Sequence, residues 1–278
     1  MYFVWVKFAA PLEVLAHRIV WSVPLLALLI TVGRQWSALR VLSMRQLRLL
    51  AVCSVLLSIN WLSFIFAIHT ERIAEAALGY YINPLVSIVL GFVVLAERLR
   101  PAQWGAVGLA FAAVLIEVAA LGEVPWLALA LAFSFGFYGL LRKQLAVSSS
   151  AGLGVEAALL LPFALGYLMI AGASADAPER SLAQVLMLGL GGAVTVAPLI
   201  WFASAATRLP LTVLGFFQYL APSISLLLAV FVYEEPVTQM RWVSFTMVWL
   251  ALALLSVEAL QHSRSNQALQ QSDQRSPT

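Results

Sequence analysis

Charge is scarce in this chain. Only 10% of its 278 residues are Asp, Glu, Lys or Arg, where a soluble domain carries roughly a quarter. With 62% of the residues hydrophobic, a compact water-soluble fold is excluded, because it could not hide so much apolar surface. Cysteine is nearly absent: Cys53, inside the apolar run LLAVCSVLL, stands alone. That excludes an internal disulfide and a thiolate metal site. Histidine occurs three times, without an HExxH pattern or paired aspartates in any apolar run. A membrane enzyme would need a converging acid, base or metal set, so no catalytic residue, metal or cofactor is assigned. No GxxxxGK[ST] phosphate loop is present, which argues against ATP drive within the chain. The net charge of +3 is scattered over loops rather than gathered in a stripe, so nucleic acid is not a partner.

What remains is a series of apolar runs, each long enough to cross a bilayer in about 20 residues. The pattern predicts spans at 14–33, 47–69, 75–96, 102–121, 125–142, 152–172, 183–205, 211–233 and 239–260. A shorter apolar piece, 1–10, precedes them as a truncated first crossing. No cleavable signal peptide is read, because the early apolar stretches continue into further spans. RQWSALRVLSMRQLRLL places Trp36, Leu39 and Leu42 at helical spacing among four arginines, as in a short interfacial helix or a positive loop. The segment 261–278, rich in Gln and Ser, reads as a disordered tail. The expected fold is an all-α integral membrane protein of about ten helices.

Alternating spans put Arg34, Arg40, Arg45, Arg48, Arg98, Arg100, Arg142, Lys143, Arg208, Arg264 and Arg275 on one side, 11 of the 16 basic residues. The other side holds Lys7, Arg18, Arg72, Arg180 and Arg241, with Glu71, Glu75, Glu123, Asp176, Glu179, Glu234 and Glu235. Positive loops remain cytoplasmic, so the C-terminus is expected inside. Trp104, Trp126 and Trp242 open their spans as interface anchors.

The chain also repeats itself. Phe66-Ala67 recurs as Phe202-Ala203, Arg72 as Arg208, and Leu78-Gly79 as Leu214-Gly215, at an offset of 136. Tyr81 then recurs as Tyr219, Pro84 as Pro222, Glu97 as Glu235 and Trp104 as Trp242, at an offset of 138. The repeat distance covers five spans, an odd number, so the second copy would enter the membrane upside down. Residues 1–122 and 123–260 are therefore read as two inverted five-helix repeats, an arrangement that supports alternating access to a central site.

Several long motifs resemble the EamA-type permeases of the drug/metabolite transporter superfamily, specifically the RarD group named for chloramphenicol sensitivity. They are EVLAHRIVWS (13–22), INW (59–61), ALGYYINPLVSIVLG (77–91), ERLRPAQW (97–104), AFSFGFYGLLRK (132–143), APLIWF (197–202), ATRLPLTVLGFFQYLAPS (206–223) and EEP (234–236). The resemblance runs from about Glu13 to Glu258. It implies two five-helix bundles in a bacterial inner membrane, both termini cytoplasmic, and transport of a generally unassigned substrate. At its start the chain departs from the family, which has a full first helix where MYFVWVKFAAPL stands.

Polar residues within spans are where function is sought, since a charge in hydrocarbon needs a partner or a wet cavity. Asn60, beside Trp61, either bonds a neighbouring helix or faces substrate. Tyr80, Tyr81, Asn83 and Pro84 in one half, and Phe217, Gln218, Tyr219 and Pro222 in the other, occupy corresponding places. Each proline frees a carbonyl one turn back, which must find a partner unless it borders a cavity. The alternative is a packing kink, with Gly79 and Gly215 permitting close approach. Glu13, His17 and Arg18 open a span: Arg18, about 10 Å inside, could bind an anion, and His17 could carry a proton. The bland reading is a mutual pair with a snorkelling Arg18. Glu156 reads as a first-turn carboxylate or a proton relay. Tyr138 is a cavity candidate, while topology explains Arg142 and Lys143. The functional expectation is a secondary transporter of a small solute, with lipid around it and a homodimer among the assemblies open to it. A membrane scaffold or sensor, or an inactive truncated permease, is the alternative.

Overall fold

A computed structural model describes residues 2–122, 124–145, 147–173, 180–231 and 237–275. Glu123, Asp176, Glu179, Glu234 and Glu235, with the EEP motif, lie outside the described residues. Twelve helices and no strand occur among them, as expected where no water satisfies backbone groups and each span must close its own hydrogen bonds. Eight spans are long and apolar enough to cross a membrane. These are α2 (Pro11–Val32), α4 (Met44–His69), α5 (Ile73–Val94), α6 (Pro101–Leu121), α8 (Ser149–Gly172), α9 (Leu182–Arg208), the joined α10 (Leu211–Gln218) and α11 (Leu220–Phe231), and the first part of α12 (Gln239–Arg275). Helix α7 (Trp126–Gln144), 19 residues closing on Arg142 and Lys143, packs between α4, α5 and α9.

Local chemistry sets the helix starts. Pro11 and Pro101 occupy first-turn positions of α2 and α6, where the missing N–H costs nothing. Ser43 with Gln46, and Ser181 with Gln184, form capping boxes at the starts of α4 and α9, satisfying otherwise orphaned amides.

Three expectations change. In the segment 1–10, the described residues 2–10 form only α1 (Tyr2–Trp5) and a turn, too short to cross. The 211–233 span is two helices, because Pro222 cannot donate to Gln218 and its ring crowds that carbonyl. Tyr219 N–H instead turns to Phe216 O at 3.1 Å, and Ser223 N–H to Tyr219 O at 3.2 Å. Pro84, by contrast, sits inside a continuous α5. Helix α12 runs on to Arg275 where a disordered tail was expected. Its polar end holds no glycine or proline before Pro277, so nothing local stops the helix. The 34–48 segment forms the short helix α3 (Trp36–Arg40), with Leu39 and Leu42 against the α4–α8 core.

Hydrogen bonds tie alternate connections into two ends. At the basic end, Gln35 accepts from Ser148 and Ser150 at 2.5 and 2.8 Å. Lys143 donates to Leu209 O at 2.5 Å, and Arg100 pairs with Glu258. At the opposite end, Arg180 binds Glu13 at 2.7 and 3.1 Å. There His69 Nε2 lies 2.9 Å from Ala9 O, and Glu75 accepts from Leu127 N–H at 3.3 Å. Spans that follow one another in the sequence thus run antiparallel.

In the packing, α2 lies against α8 and α9, α4 against α7 and α8, α5 against α7 and α10, and α6 against α12. Close approach of α5 and α10 depends on Gly215, where a Cβ would lie 2.8 Å from Pro84 O and from Ile88 Cγ1. Gly79 does the same for α5 on α7, facing Leu131 Cβ at 2.9 Å. At the basic end of this layer, Glu97 accepts the Leu211 and Thr212 N–H groups at 2.7 and 2.8 Å. A carboxylate there satisfies two orphan amides and meets the positive end of the α10 dipole. Glu97→Ala is expected to cost about 1–2 kcal/mol, seen as a lower melting temperature of the purified protein, with Glu97→Gln intermediate.

Candidate functional site

Helices α2, α4, α8 and α9 enclose a cavity of about 20 Å³, room for about one water molecule. Its walls are mostly Leu, Ile, Val and Ala, with Ser22, Trp61, Glu156 and Thr195 as polar or aromatic exceptions. Two buried arginines flank it.

The first is Arg18, buried on α2. Its Nε donates to Thr195 Oγ1 at 2.9 Å, and its guanidinium carbon lies 4.6 Å from the Trp61 ring centroid. Thr195 in turn donates to Gly191 O at 2.6 Å. A snorkelling Arg18 is corrected: the side chain is held inward by a hydroxyl and an indole face. Glu13 pairs with Arg180 rather than His17. His17 is half-buried, and its Nδ1 has no hydrogen-bond partner among the described residues.

The second is Arg142, fully buried and 3.4 Å from Glu156 Oε1. Tyr138 Oη donates to Glu156 Oε2 at 3.3 Å, and Arg142 also reaches Ser149 O at 3.5 Å. Topology alone therefore does not explain Arg142. Helix α8 begins at Ser149, so Glu156 lies two turns inside it instead of in its first turn. Gly152 makes the pair sterically feasible, because a Cβ there would collide with the Arg142 guanidinium. A buried pair of opposite charge is tolerated where neither ion would be alone.

The remaining candidates fall elsewhere. Asn60 Nδ2 donates to Leu131 O at 2.9 Å and Ser134 Oγ at 3.2 Å, tying α4 to α7. Asn83 donates to Gln218 Oε1 at 2.5 Å, and Gln218 to Ser87 Oγ at 3.3 Å, tying α5 to α10. Tyr81 packs edge-on against Tyr219 and Phe245 in the same layer. Pro84 and Pro222 are both buried. Tyr80 and Phe217 are 45% and 56% exposed and are not among the residues lining the cavity; Tyr80 meets Phe64 edge-on. Ser22 and Thr195 were missed, because hydroxyls in apolar helices usually bond back to their own turn; Ser22 does so, to Arg18 O at 2.6 Å. Nearer the end opposite the basic loops, Pro11, Leu62, Phe66, Leu127 and Tyr167 border an open vestibule of about 520 Å³.

A multi-pass helical bundle around a small internal cavity, with charged groups held at its wall, is the architecture of a membrane transporter. The model of the EamA-like transporter family matches residues 1–118. Protein RarD of Escherichia coli (strain K12) is 43% identical over 270 residues, covering 95% of this chain and 90% of the relative. Protein RarD of Streptomyces exfoliatus is 42% identical, covering 94% and 84%. An uncharacterized transporter of Vibrio cholerae is 45% identical, covering 94% and 87%. A solved crystal structure at 19% identity superposes with a TM-score of 0.66 over 93% of this chain and 92% of that one, a likeness of fold. The chain belongs to the EamA-like transporter family, in its RarD-type group, and is a multi-pass bacterial membrane transporter.

Removing one member of the buried pair strands the other. Glu156→Leu or Arg142→Met alone should destabilise by about 3–5 kcal/mol, whereas the double variant should recover most of that loss. Thermal unfolding of the purified proteins checks both.

Proposed function

We propose that the chain is a secondary permease that carries a small solute by alternating access through the α2–α4–α8–α9 cavity. The observation that carries this reading is that one cavity draws two helices from each half of the chain. The packing supports inverted repeats: α2 contacts α9 as α4 contacts α8, and α2 contacts α4 as α8 contacts α9. Each relation returns when α2 is exchanged for α8 and α4 for α9. In this reading α1, against α4, is the short counterpart of α7, and the ten helices divide into halves 1–122 and 123–260. The basic end faces the cytoplasm of a bacterial inner membrane, with the C-terminus inside. Glu156, at the cavity wall between Arg142 and Tyr138, is the group that carries a proton as the halves move. A homodimer in the bilayer is compatible with the apolar outer faces.

The test needs no known substrate. In a Cys53→Ser background, Ser22→Cys places one thiol at the cavity. A carrier exposes it to a small charged methanethiosulfonate from outside in intact cells and from the cytoplasmic face in inverted vesicles. A scaffold, or a permease locked in one state, exposes it from one side at most.

Orientation is checked separately in the same background. Ser37→Cys should resist an impermeant maleimide in intact cells, and Thr70→Cys should react. The opposite pattern would reverse the assignment of the ends.

A further inference from the structure

We propose that His69 is a proton-operated latch: with two ring protons it fastens the segment 6–10 to the end of α4, and on losing one it frees that segment and widens the vestibule. The device does not depend on what the cavity carries. Both ring nitrogens meet a carbonyl oxygen, Nδ1 that of Ile65 at 3.0 Å and Nε2 that of Ala9 at 2.9 Å. A neutral imidazole has one N–H and one lone pair, so it can donate to only one of them. Either neutral tautomer sets a lone pair against a carbonyl oxygen, and only the imidazolium donates to both. Ala9 is 1% exposed, so its carbonyl has little water to turn to, and a buried acceptor left without a donor is costly. The two contacts are therefore complete in the charged form alone.

The place of the latch gives it a consequence. Val6 and Ala9 pack into the same apolar cluster as Ile65, while the next three residues, Ala10, Pro11 and Leu12, form one wall of the vestibule. Leu62 and Phe66, within the last two turns of α4 before His69, form another. A second cation holds the neighbouring carbonyl: Arg180 Nη1 donates to Phe8 O at 3.3 Å, with its guanidinium carbon 5.1 Å from the Phe8 ring centroid. That guanidinium stays charged, whereas histidine changes charge between about pH 5 and about pH 8. One hold on the segment is permanent and the other is conditional. The charged and titratable groups of the surrounding elements leave His69 to its two carbonyls. Glu13 is engaged by Arg180 and Glu75 by Arg72, and Tyr2 donates to Leu188 O. His17 lies one turn beyond Glu13 on α2, Tyr167 sits on α8, and Lys7 and Glu71 are exposed. Among the described residues, the ring nitrogens bond carbonyls and no carboxylate. The segment is thus held firmly at low pH and released as pH rises through the range in which His69 gives up its proton.

Two measurements on the purified full-length protein, each made at about pH 5 and about pH 8, test the latch. The chain has three histidines, so nuclear magnetic resonance of isotopically labelled ring nitrogens assigns His69 by elimination in His17→Gln and His262→Gln. Both His69 nitrogens should be protonated at the lower pH, and one of them at the higher. A spin label at Lys7→Cys, an exposed position, reports on the segment in the Cys53→Ser background. The ratio of mobile to immobilised label should rise at least about twofold from the lower pH to the higher, the worth of one lost hydrogen bond, over the same range in which His69 loses its proton. His69→Ala should leave the label mobile at both pH values, and His17→Gln should preserve the change. A His69 ring with a single proton at the lower pH, or a label whose motion does not follow that proton, would overturn the proposal. So would a label that stays immobilised or still responds to pH in His69→Ala, or a response abolished by His17→Gln. The resonance and spin-label comparisons need no change at His69, so they decide the matter even if His69→Ala fails to fold.

Discussion

The structure is organised by the cost of placing charge where water is excluded. Hydrocarbon offers no hydrogen bonds, so each buried ion must be met by the protein itself. Arg142 and Glu156 meet each other, with Tyr138 as a third partner, and that pair joins the last turns of α7 to the early turns of α8. The short connection after Gln144 and the absent side chain at Gly152 follow from it. Arg18 is met differently, by an indole face and a threonine hydroxyl. Both solutions end at the same small cavity, which makes the ions part of the site as well as of the fold.

Around that core, the helices divide the work. Helices α2, α4, α8 and α9 surround the cavity, whereas α5 and α10 form a polar and aromatic seam through Asn83, Gln218, Tyr81 and Tyr219. A seam of amide hydrogen bonds and edge-on rings holds two surfaces in register without large buried charge. The break between α10 and α11 lies within this seam, while α5 passes through it unbroken. The contact of α5 with α10 is therefore held by amides and rings, and the chemistry sits one layer away.

Much of this architecture was legible in the sequence. The apolar runs located the long helices to within a few residues, the far end of α12 excepted, because span length is set by the bilayer and not by tertiary detail. Tyr81 recurs as Tyr219 and both are enclosed, whereas Tyr80 and Phe217, taken from the sequence as candidates on the same footing, are 45% and 56% exposed. Tyr80 and Tyr81 are adjacent and differ by about 100° around α5, so they do not share one face. What stayed hidden was the Arg142–Glu156 pair. Placing the α8 start at 152 instead of Ser149 put Glu156 in a first turn, where a helix dipole seemed enough to explain it. An arginine at a helix end also looks identical in sequence whether it faces loop water or a glycine at the start of the next helix. The Pro222 break was equally hidden, since Pro84 at the corresponding place leaves α5 continuous.

The central claim, that the two halves move oppositely about one cavity, is tested most directly by distances across α4 and α9. Spin labels at Arg45 and Thr207 report on the basic end, and labels at Thr70 and Leu182 on the other; all four positions are exposed. Pulsed dipolar spectroscopy in lipid nanodiscs should show two populations at each end. Conditions that lengthen one distance should shorten the other. Two single, unchanging distances, or a lengthening at both ends together, would contradict the account.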